Sequence, residues 1–172
     1  MKRKLLIMLF MLLTSFMTFG CSSETDLVKE KPVDYYTVPV TLAREFVNDD
    51  EKAGQKFSNR IIRVAGVAQL VYPDGGDKST TIIEFYDNYT HGMVVKVVGM
   101  VTDDNQPNFR KLRKGNMVFL KGVCKGGFIP STQSIVIALD NAYIEGCFRP
   151  NEREQVIDFM NKIESDSSKI IL

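Results

Sequence analysis

The sequence predicts a mainly β fold of the α+β class, in which a five-stranded Greek-key barrel follows one helix and precedes another. Three observations predict it. Five segments between residues 60 and 144 alternate apolar and polar residues with a period of two, as strands do. Two of these segments, "IRVAGV" and "VFLKGV", contain an interior glycine, which in a strand marks a bulge or a sharp bend. Helical periodicity replaces the period of two on both sides of this region.

The first helix is predicted over residues 41–57, because apolar residues recur there at helical spacing. Thr41 carries a hydroxyl that can cap the helix, and the helix is expected to end at Ser58 and Asn59. The predicted buried face consists of Leu42, Phe46, Ala53 and Phe57.

The strands are predicted over residues 60–72, 80–87, 93–100, 116–126 and 134–144. Glycine, proline and asparagine predict loops at 73–78, 88–92 and 127–133. The long, polar and basic connection between strands three and four is expected to hold a short helix around 108–113. A small closed barrel needs bent strands that serve two sheets, so five strands with bends in the first and fourth indicate the OB topology.

The second helix is predicted to begin after Pro150 and Asn151. Asn151 with Glu154 resembles a capping box, with asparagine in place of serine or threonine. The apolar stripe of this helix consists of Val156, Phe159, Met160 and Ile163.

The N-terminus has the pattern of a secretory signal. Three cationic residues precede an uncharged stretch at 5–19, which is shorter than the roughly 20 residues that a membrane span requires. Gly20 then precedes Cys21, as in bacterial lipoprotein signals, whose cysteine receives diacylglycerol. An uncleaved anchor and a plain secretory peptide are the alternatives. Ser22 after the cysteine favours an outer-membrane lipoprotein of the bacterial cell envelope.

Four segments follow from these patterns. They are a signal peptide at 1–20, a tether at 21–39, an OB-like domain with its leading helix at 40–148, and a C-terminal helix and tail at 149–172. Prolines and charged residues predict the tether, although Tyr35 and Tyr36 are expected to contact the domain.

Charge argues against nucleic acid as a partner. The chain has 22 Lys and Arg against 21 Asp and Glu, and removal of Lys2, Arg3 and Lys4 leaves 19 against 21, a net charge of −2. Nucleic-acid-binding domains usually carry a basic excess. The expected partners are therefore the membrane, through the lipid, and a protein or glycan. The basic cluster of Arg110, Lys111, Arg113 and Lys114 is either a solvated helix face or a contact for anionic lipid or glycan.

Cys124 and Cys147 remain after Cys21 is assigned to lipidation. An oxidising compartment permits a disulfide between them, and buried free thiols are the alternative. In either case we expect the two cysteines to lie near each other. Two cysteines and His91 cannot build a zinc site, so no metal or cofactor is predicted. The chain contains no phosphate-binding glycine loop, nucleophile elbow or Cys/His constellation, and we expect no enzymatic activity.

Two segments, "FVNDDEKAGQKFSNRIIRVAGVAQL" at 46–70 and "LRKGNMVFLKGVCKGGF" at 112–128, resemble the tRNA-anticodon-binding-like OB-fold family of secreted and lipid-anchored bacterial proteins. The resemblance covers about residues 40–144 and implies an OB fold. Members share no established activity, so the resemblance implies no catalytic residue. The family often has a cysteine near Asn141 and Ala142, whereas this chain has Cys147 a few residues later. The matching residues are Asn48, Glu51, Ala53, Lys56, Phe57, Val64, Gly66, Lys114, Gly115, Val118, Lys121, Gly122, Cys124, Gly127 and Phe128.

OB-folds usually bind ligands on the face of strands two and three, between the loops that join strands 1–2 and 4–5. If Glu84 and Lys96 point outward, alternation places Ile82, Tyr86, Val94 and Val98 on the same outer face. The candidate ligand-binding residues are Tyr72, Ile82, Glu84, Tyr86, Lys96 and Phe128. The simpler interpretation is a surface ion pair between Glu84 and Lys96, with Tyr86 as ordinary strand packing.

The sequence therefore predicts a lipid-anchored OB-fold binding module of the cell envelope, whose ligand is a protein, a glycan or a small molecule. One alternative is a structural or assembly role, in which the helix faces or the tail "KIIL" engage a partner. A second is oligonucleotide binding, which Glu84 disfavours because its carboxylate repels phosphate.

Overall fold

A computed structural model describes residues 28–76, 80–90, 93–102, 106–131 and 134–164 of the chain. The predicted signal peptide, Cys21 and the tail "KIIL" lie outside these residues. No helix in the described part is long and apolar enough to cross a membrane.

Seven strands in the described residues form one sheet, whose order is β1-β2-β6-β7-β5-β4-β3. The pairs β1·β2 and β5·β7 are parallel, and the other neighbours are antiparallel. The strands are β1 (Tyr35–Thr37), β2 (Ile61–Val67), β3 (Leu70–Pro73), β4 (Thr81–Thr90), β5 (Met93–Val101), β6 (Met117–Ser131) and β7 (Ser134–Phe148). The mainly β class is confirmed, whereas the sheet contains seven strands in place of the predicted five.

The first predicted strand is interrupted at Ala68 and Gln69, which separate β2 from β3. The backbone N–H of Ala68 donates to the carbonyl of Asn116, beside the start of β6, at 2.9 Å. The backbone N–H of the next residue, Gln69, donates to the carbonyl of Glu84 in β4 at 2.8 Å. Consecutive residues thus bond to different neighbours, and one stretch of chain contributes strands to two distant positions in the sheet order.

Two helices, α1 (Pro39–Asn48) and α2 (Asp50–Phe57), occupy the region predicted as one helix. The break lies at Asp49, whose backbone is extended and whose carboxylate accepts the N–H of Lys52 at 2.9 Å. Asp49 caps α2 in this way. Thr41 is not a cap, because α1 begins at Pro39. The predicted apolar face is confirmed, since Leu42, Phe46, Ala53 and Phe57 are all buried.

One further predicted boundary was wrong, and two predicted helices are found at the expected places but differ in detail. The loop predicted at 127–133 is in its described part strand, because β6 continues to Ser131. The short helix is a single 3-10 turn, Phe109–Lys111. The last helix, α3, spans Arg153–Glu164, and the capping contact before it joins the N–H of Arg149 to the carboxylate of Glu152 at 2.8 Å instead of pairing Asn151 with Glu154.

Apolar side chains form two principal clusters. The larger cluster lies between the sheet and the helices α1 and α2, and it includes Phe46, Phe57, Phe85 and Leu120. The smaller cluster joins α3 to the sheet: Ile163 packs with Phe119, and the rings of Phe119 and Phe159 lie 4.8 Å apart. The apolar stripe predicted for α3 is therefore confirmed.

The described part of the predicted tether packs against the sheet. Val28, Val33 and Tyr36 are buried, and β1 pairs with β2. The amine of Lys121 donates to the carbonyls of Lys29, at 2.9 Å, and of Lys31. Among the described residues, packing onto the domain is therefore present from Val28, ahead of the predicted boundary at residue 40.

The predicted proximity of Cys124 and Cys147 was wrong, and both cysteines are buried free thiols. In the β6·β7 ladder, Cys147 pairs with Val118, whereas Cys124 pairs with Leu139. The six residue-to-residue steps from Val118 to Cys124 correspond to about 20 Å of extended chain. A disulfide requires Cα atoms within about 7 Å, so this register does not allow one.

The two thiols should make the protein less stable at alkaline pH. Burial raises the pKa of Cys124 and of Cys147 above the usual 9.0. The folded state therefore keeps these protons after the unfolded state has lost them. Their contribution to stability is complete below about pH 8.5 and is lost as pH rises through the folded-state pKa values.

Urea denaturation from pH 7 to 10.5 under reducing conditions measures this effect. We expect the free energy of unfolding to fall less steeply with pH in the double variant Cys124→Ala/Cys147→Ala than in the parent protein. Burial lowers the pKa of Lys121, which by itself makes the folded state more stable as pH rises. Lys121 is present in both proteins, so it does not affect the comparison. An equal pH dependence of the free energy of unfolding in the two proteins would contradict the prediction.

Gly66 is required by a close approach and not by backbone conformation. A Cβ added there would lie 2.9 Å from Cγ of Pro39 and 3.0 Å from the ring of Phe85, and its φ is not positive. We expect Gly66→Val to destabilise the protein by about 1–3 kcal/mol through overpacking. The control is Gly54→Ala in α2, which has no neighbour within 4 Å of the new atom and should gain about 0.5–1 kcal/mol. An unchanged melting temperature for Gly66→Val would contradict this account.

Candidate ligand-binding face

One face of the sheet carries a continuous band of side chains across β3, β4, β5, β7 and β6. Directly paired residues of neighbouring strands lie on the same face. We call this band the outer face. Its rows are Leu70, Glu84, Val98 and Ala138; Tyr72, Ile82 and Met100; and Lys96, Val136 and Phe128.

The alternating residues of the same strands point into the core. Ile83, Phe85, Val97 and Ile137 are at most 1% exposed. The predicted assignment of faces to strands two and three is therefore correct. The prediction succeeds because successive side chains of a strand point to opposite faces, so Glu84 and Lys96 fix the faces of the other residues in these strands.

Glu84 is buried in the outer face, although the sequence suggested a surface position. It is 6% exposed. The hydroxyl of Tyr72 donates to its Oε1, and Nζ of Lys96 lies 3.5 Å from its Oε2. In the register, Leu70 and Val98 flank it on either side. A buried carboxylate needs such partners, and together they hold Glu84, Tyr72 and Lys96 in a defined arrangement.

Apolar side chains are exposed at both margins of the outer face. Phe128 is 56% exposed at one margin, and Leu70 and Tyr72 are each 38% exposed at the other. Four strand spacings separate β3 from β6, so the face spans about 19 Å. Val98, Met100, Val136 and Ala138 are partly exposed between them. The face is thus apolar, with a single ion pair near its middle.

The structure brings Tyr72, Glu84 and Lys96 into contact and places Ile82 in the same face. Tyr86 pairs with Lys96 along the backbone, but its side chain lies outside the described part. Phe128 is in the same row as Lys96, two strands away, or about 10 Å. Alternation placed Val98 on this face, whereas the other aliphatic members, Leu70, Met100, Val136 and Ala138, were not predicted there. Extending the alternation of strands one, three and five would have found them.

A cavity of about 190 Å³ lies next to Tyr72, at the margin formed by β3. Its walls are mainly apolar, and Arg113 contributes the one charged side chain. It is lined by Val71, Tyr72, Pro73, Thr81, Phe109, Leu112 and Arg113.

The outer face combines one buried ion pair with apolar side chains. The carboxylate of Glu84 is engaged by a hydroxyl and an ammonium group, and the other described members are apolar or aromatic. No group of three or more His, Cys, Asp or Glu side chains that could hold a metal ion occurs in the part of the chain that the structure describes.

These features define a mainly β domain that presents an apolar sheet face. The profile of the tRNA_anti-like family matches residues 1–139, and the chain belongs to this family. The resemblance inferred from residues 46–70 and 112–128 is confirmed.

Two solved structures match part of the chain. One is a lipoprotein from Klebsiella pneumoniae subsp. pneumoniae MGH 78578 to which nucleic-acid binding is provisionally ascribed. It is 15% identical, the match covers 73% of this chain and 99% of that chain, and the TM-score is 0.49. The other is OBody AM3L09, which was solved bound to hen egg-white lysozyme. It is 18% identical, the match covers 53% of this chain and 86% of that chain, and the TM-score is 0.33. No curated protein matches the chain.

Proposed function

We propose that this protein is a lipid-anchored binding module of the bacterial cell envelope, with an OB barrel whose outer face binds another protein. The observation that carries the proposal is the apolar outer face, which is exposed at Leu70, Tyr72 and Phe128. Contiguous exposed apolar surface of this kind is typical of interaction sites. The proposal includes no catalytic step.

Strand pairing supports the OB barrel. In the OB topology, strand 1 pairs with strand 4, strand 3 pairs with strand 5 in parallel, and strand 2 pairs with strand 3. The corresponding pairs here are the antiparallel pair β2·β6, the parallel pair β5·β7 and the antiparallel pair β4·β5. Because only Ala68 and Gln69 separate β2 from β3, these two strands count as halves of one bent strand. Strand β1, which the N-terminal segment contributes beside β2, is then a sixth strand outside the five of the OB barrel.

The anchor is proposed from the sequence, in which Gly20 and Cys21 follow an uncharged stretch. Acyl chains on Cys21 would hold the domain at the membrane without a spanning helix. Ser22 favours delivery to the outer membrane. The segment from Cys21 to Val28 then forms a short connection between the lipid and the first described packing contact.

A protein partner fits the outer face better than the other ligand classes. Leu70, Ile82, Val98, Met100 and Val136 give the face an aliphatic character, and a glycan would find few hydrogen-bonding groups on it. An oligonucleotide needs stacked aromatic side chains along a basic groove. The cation described on this face, Lys96, is already paired with Glu84.

Site-specific photo-crosslinking in intact cells tests the proposal. A photoreactive amino acid is introduced into the full-length anchored protein at Phe128 and, separately, at Tyr72. The control position is Ile157 on α3, which is 48% exposed and also apolar. We expect one protein adduct of the same mass from both outer-face positions and none of that mass from Ile157.

A second arm uses a charge substitution at the opposite margin. Leu70→Glu places a carboxylate on the apolar face and should abolish the adduct formed at Phe128, because the partner must then desolvate that charge. Adducts with nucleic acid, or equal adducts from Ile157 and Phe128, would overturn the proposal.

A further inference from the structure

A second cavity, of about 320 Å³, lies between the 3-10 turn that precedes β6 and the chain that follows β7. Four of its seven lining residues are cationic and none is acidic. It is lined by Arg110, Lys111, Arg113, Asn116, Arg149, Pro150 and Asn151. Arg149 is distant from the other three cations in sequence, and the fold brings it to the same cavity.

The four cations make no ion pair with any acidic side chain among the described residues. Arg113 donates from Nη1 to the carbonyl of Leu112 at 2.6 Å, which leaves most of its five N–H donors available. Glu152, three residues after Arg149, accepts the backbone N–H of that residue and is not part of the lining. The cavity is thus a concentration of positive charge in a chain whose Lys and Arg nearly equal its Asp and Glu.

Asn116 forms the rigid base of this cavity. Its side-chain amide donates to the carbonyl of Lys111 at 2.9 Å and lies 3.6 Å from Sγ of the buried Cys147. Asn116 is itself 6% exposed. These contacts fix the 3-10 segment against the end of β7, so the cations of the two segments face one cavity without a conformational change.

Phosphate is the anion that suits this arrangement. Guanidinium groups bind phosphate oxygens in a bidentate manner, and a phosphate group carries up to two charges and three strong acceptor oxygens. A carboxylate has two oxygens and one charge, so it could pair with only some of the cationic side chains in this cavity. The volume is at the lower end of the usual range for ligand cavities, about 300–1,000 Å³, which favours a small molecule over a polymer that needs an extended groove.

We propose that this cavity binds the phosphate group of a small phosphorylated ligand. The proposal also predicts the rest of the ligand. Arg113 lines both this cavity and the mainly apolar cavity beside Tyr72 and Phe109. A phosphate held by Arg110, Lys111, Arg113 and Arg149 therefore places an attached apolar or aromatic group against Phe109 and Tyr72.

Isothermal titration calorimetry on the full-length chain in a non-ionic detergent tests the first part. The probe is inorganic pyrophosphate at low ionic strength. We expect saturable binding with one site per chain, which the double variant Arg110→Gln/Arg149→Gln weakens at least about tenfold, because two charge-assisted contacts are lost. Both side chains are exposed, so the melting temperature should not change.

The control is Arg44→Gln, which removes one positive charge, against two in the double variant, from an exposed position on α1. It should leave pyrophosphate binding unchanged. Absence of binding at low ionic strength, or equal losses in Arg44→Gln and the double variant, would overturn the proposal. Binding of a single-stranded oligonucleotide without binding of pyrophosphate would also overturn it, in favour of a nucleic-acid backbone.

A second titration tests the predicted organic part. Adenosine monophosphate has an aromatic group, whereas glycerol phosphate represents a lipid headgroup without one. We expect the nucleotide to bind more tightly, and Phe109→Ser to remove that difference while leaving pyrophosphate binding in place. Equal affinities in the parent protein would overturn this part of the proposal. These variants leave the outer-face residues Leu70 and Phe128 intact, so failure here is distinguishable from failure of the protein-binding proposal.

Discussion

Replacing Glu145 by glutamine is expected to destabilise the folded protein by about 3–5 kcal/mol, which is a large fraction of the stability of an ordinary domain. Glu145 pairs with Arg63 in a bidentate manner: Nε of Arg63 donates to Oε2, and Nη2 donates to Oε1 at 2.9 Å. The side chain of Arg63 is 7% exposed, and that of Glu145 is 15% exposed. The loss follows from leaving the guanidinium group buried without its counter-charge.

Lys121 increases the expected effect. Burial lowers the pKa of its amine, the charge of Glu145 raises that pKa, and Arg63 lowers it. The three side chains therefore interact, and Glu145 is the anion between two cations. When Glu145 becomes neutral, the pKa of Lys121 should fall further, because the ammonium group loses the nearby negative charge and keeps its contacts with the carbonyls of Lys29 and Lys31.

Urea denaturation at pH 7 measures the change in the free energy of unfolding. The control is Glu45→Gln, which removes the partner of Lys56 from a pair with an N–O distance of 2.9 Å. The side chain of Lys56 is 35% exposed, and that of Glu45 is 37% exposed. Glu45→Gln should therefore lower the free energy of unfolding by less than about 1 kcal/mol. Similar losses in the two variants would show that burial does not decide the strength of the Arg63–Glu145 pair.

Replacing Cys21 by alanine is expected to release the protein from the membrane completely. The acyl chains on this residue would supply the membrane affinity, because each buried methylene contributes about 0.8 kcal/mol and several chains together make release very slow. Cell fractionation followed by immunoblotting should find the variant in the soluble fraction. Metabolic labelling with a fatty acid should be abolished in the same variant.

Cys124→Ala is the matched control for that experiment, since Cys124 is buried in the core and cannot be acylated in the folded protein. It should label and fractionate like the parent. If Cys21→Ala still labels and still sediments with membranes, the lipoprotein interpretation of Cys21 is wrong.

The sequence by itself determined the features that depend on local periodicity. Alternation in "TIIEFYD" and "MVVKVVG" assigned Ile83, Phe85 and Val97 to the core and Glu84 and Lys96 to the opposite face. Helical spacing predicted in the same way the residues of α1, α2 and α3 that face the core. These predictions succeed because the side of an element on which a residue lies is set by its own position along the strand or helix.

Chain breaks and residue environments were decided only in the tertiary structure. Nothing local marks Ala68 and Gln69 as the end of a strand, and the interruption arises because their N–H groups bond to two different parts of the fold. The burial of Glu84 likewise depends on Tyr72 and Lys96, which come from neighbouring strands.

Long-range register decided which distant residues meet. It separates Cys124 from Cys147, because the β6·β7 ladder pairs Cys147 with Val118 and Cys124 with Leu139. The same fold brings Arg149 to the cavity of Arg110, two residues that no short pattern connects. The physical reason is that strand register and inter-element packing follow from many weak contacts summed over the whole sheet, whereas local sequence reports only the preference of each element for one face.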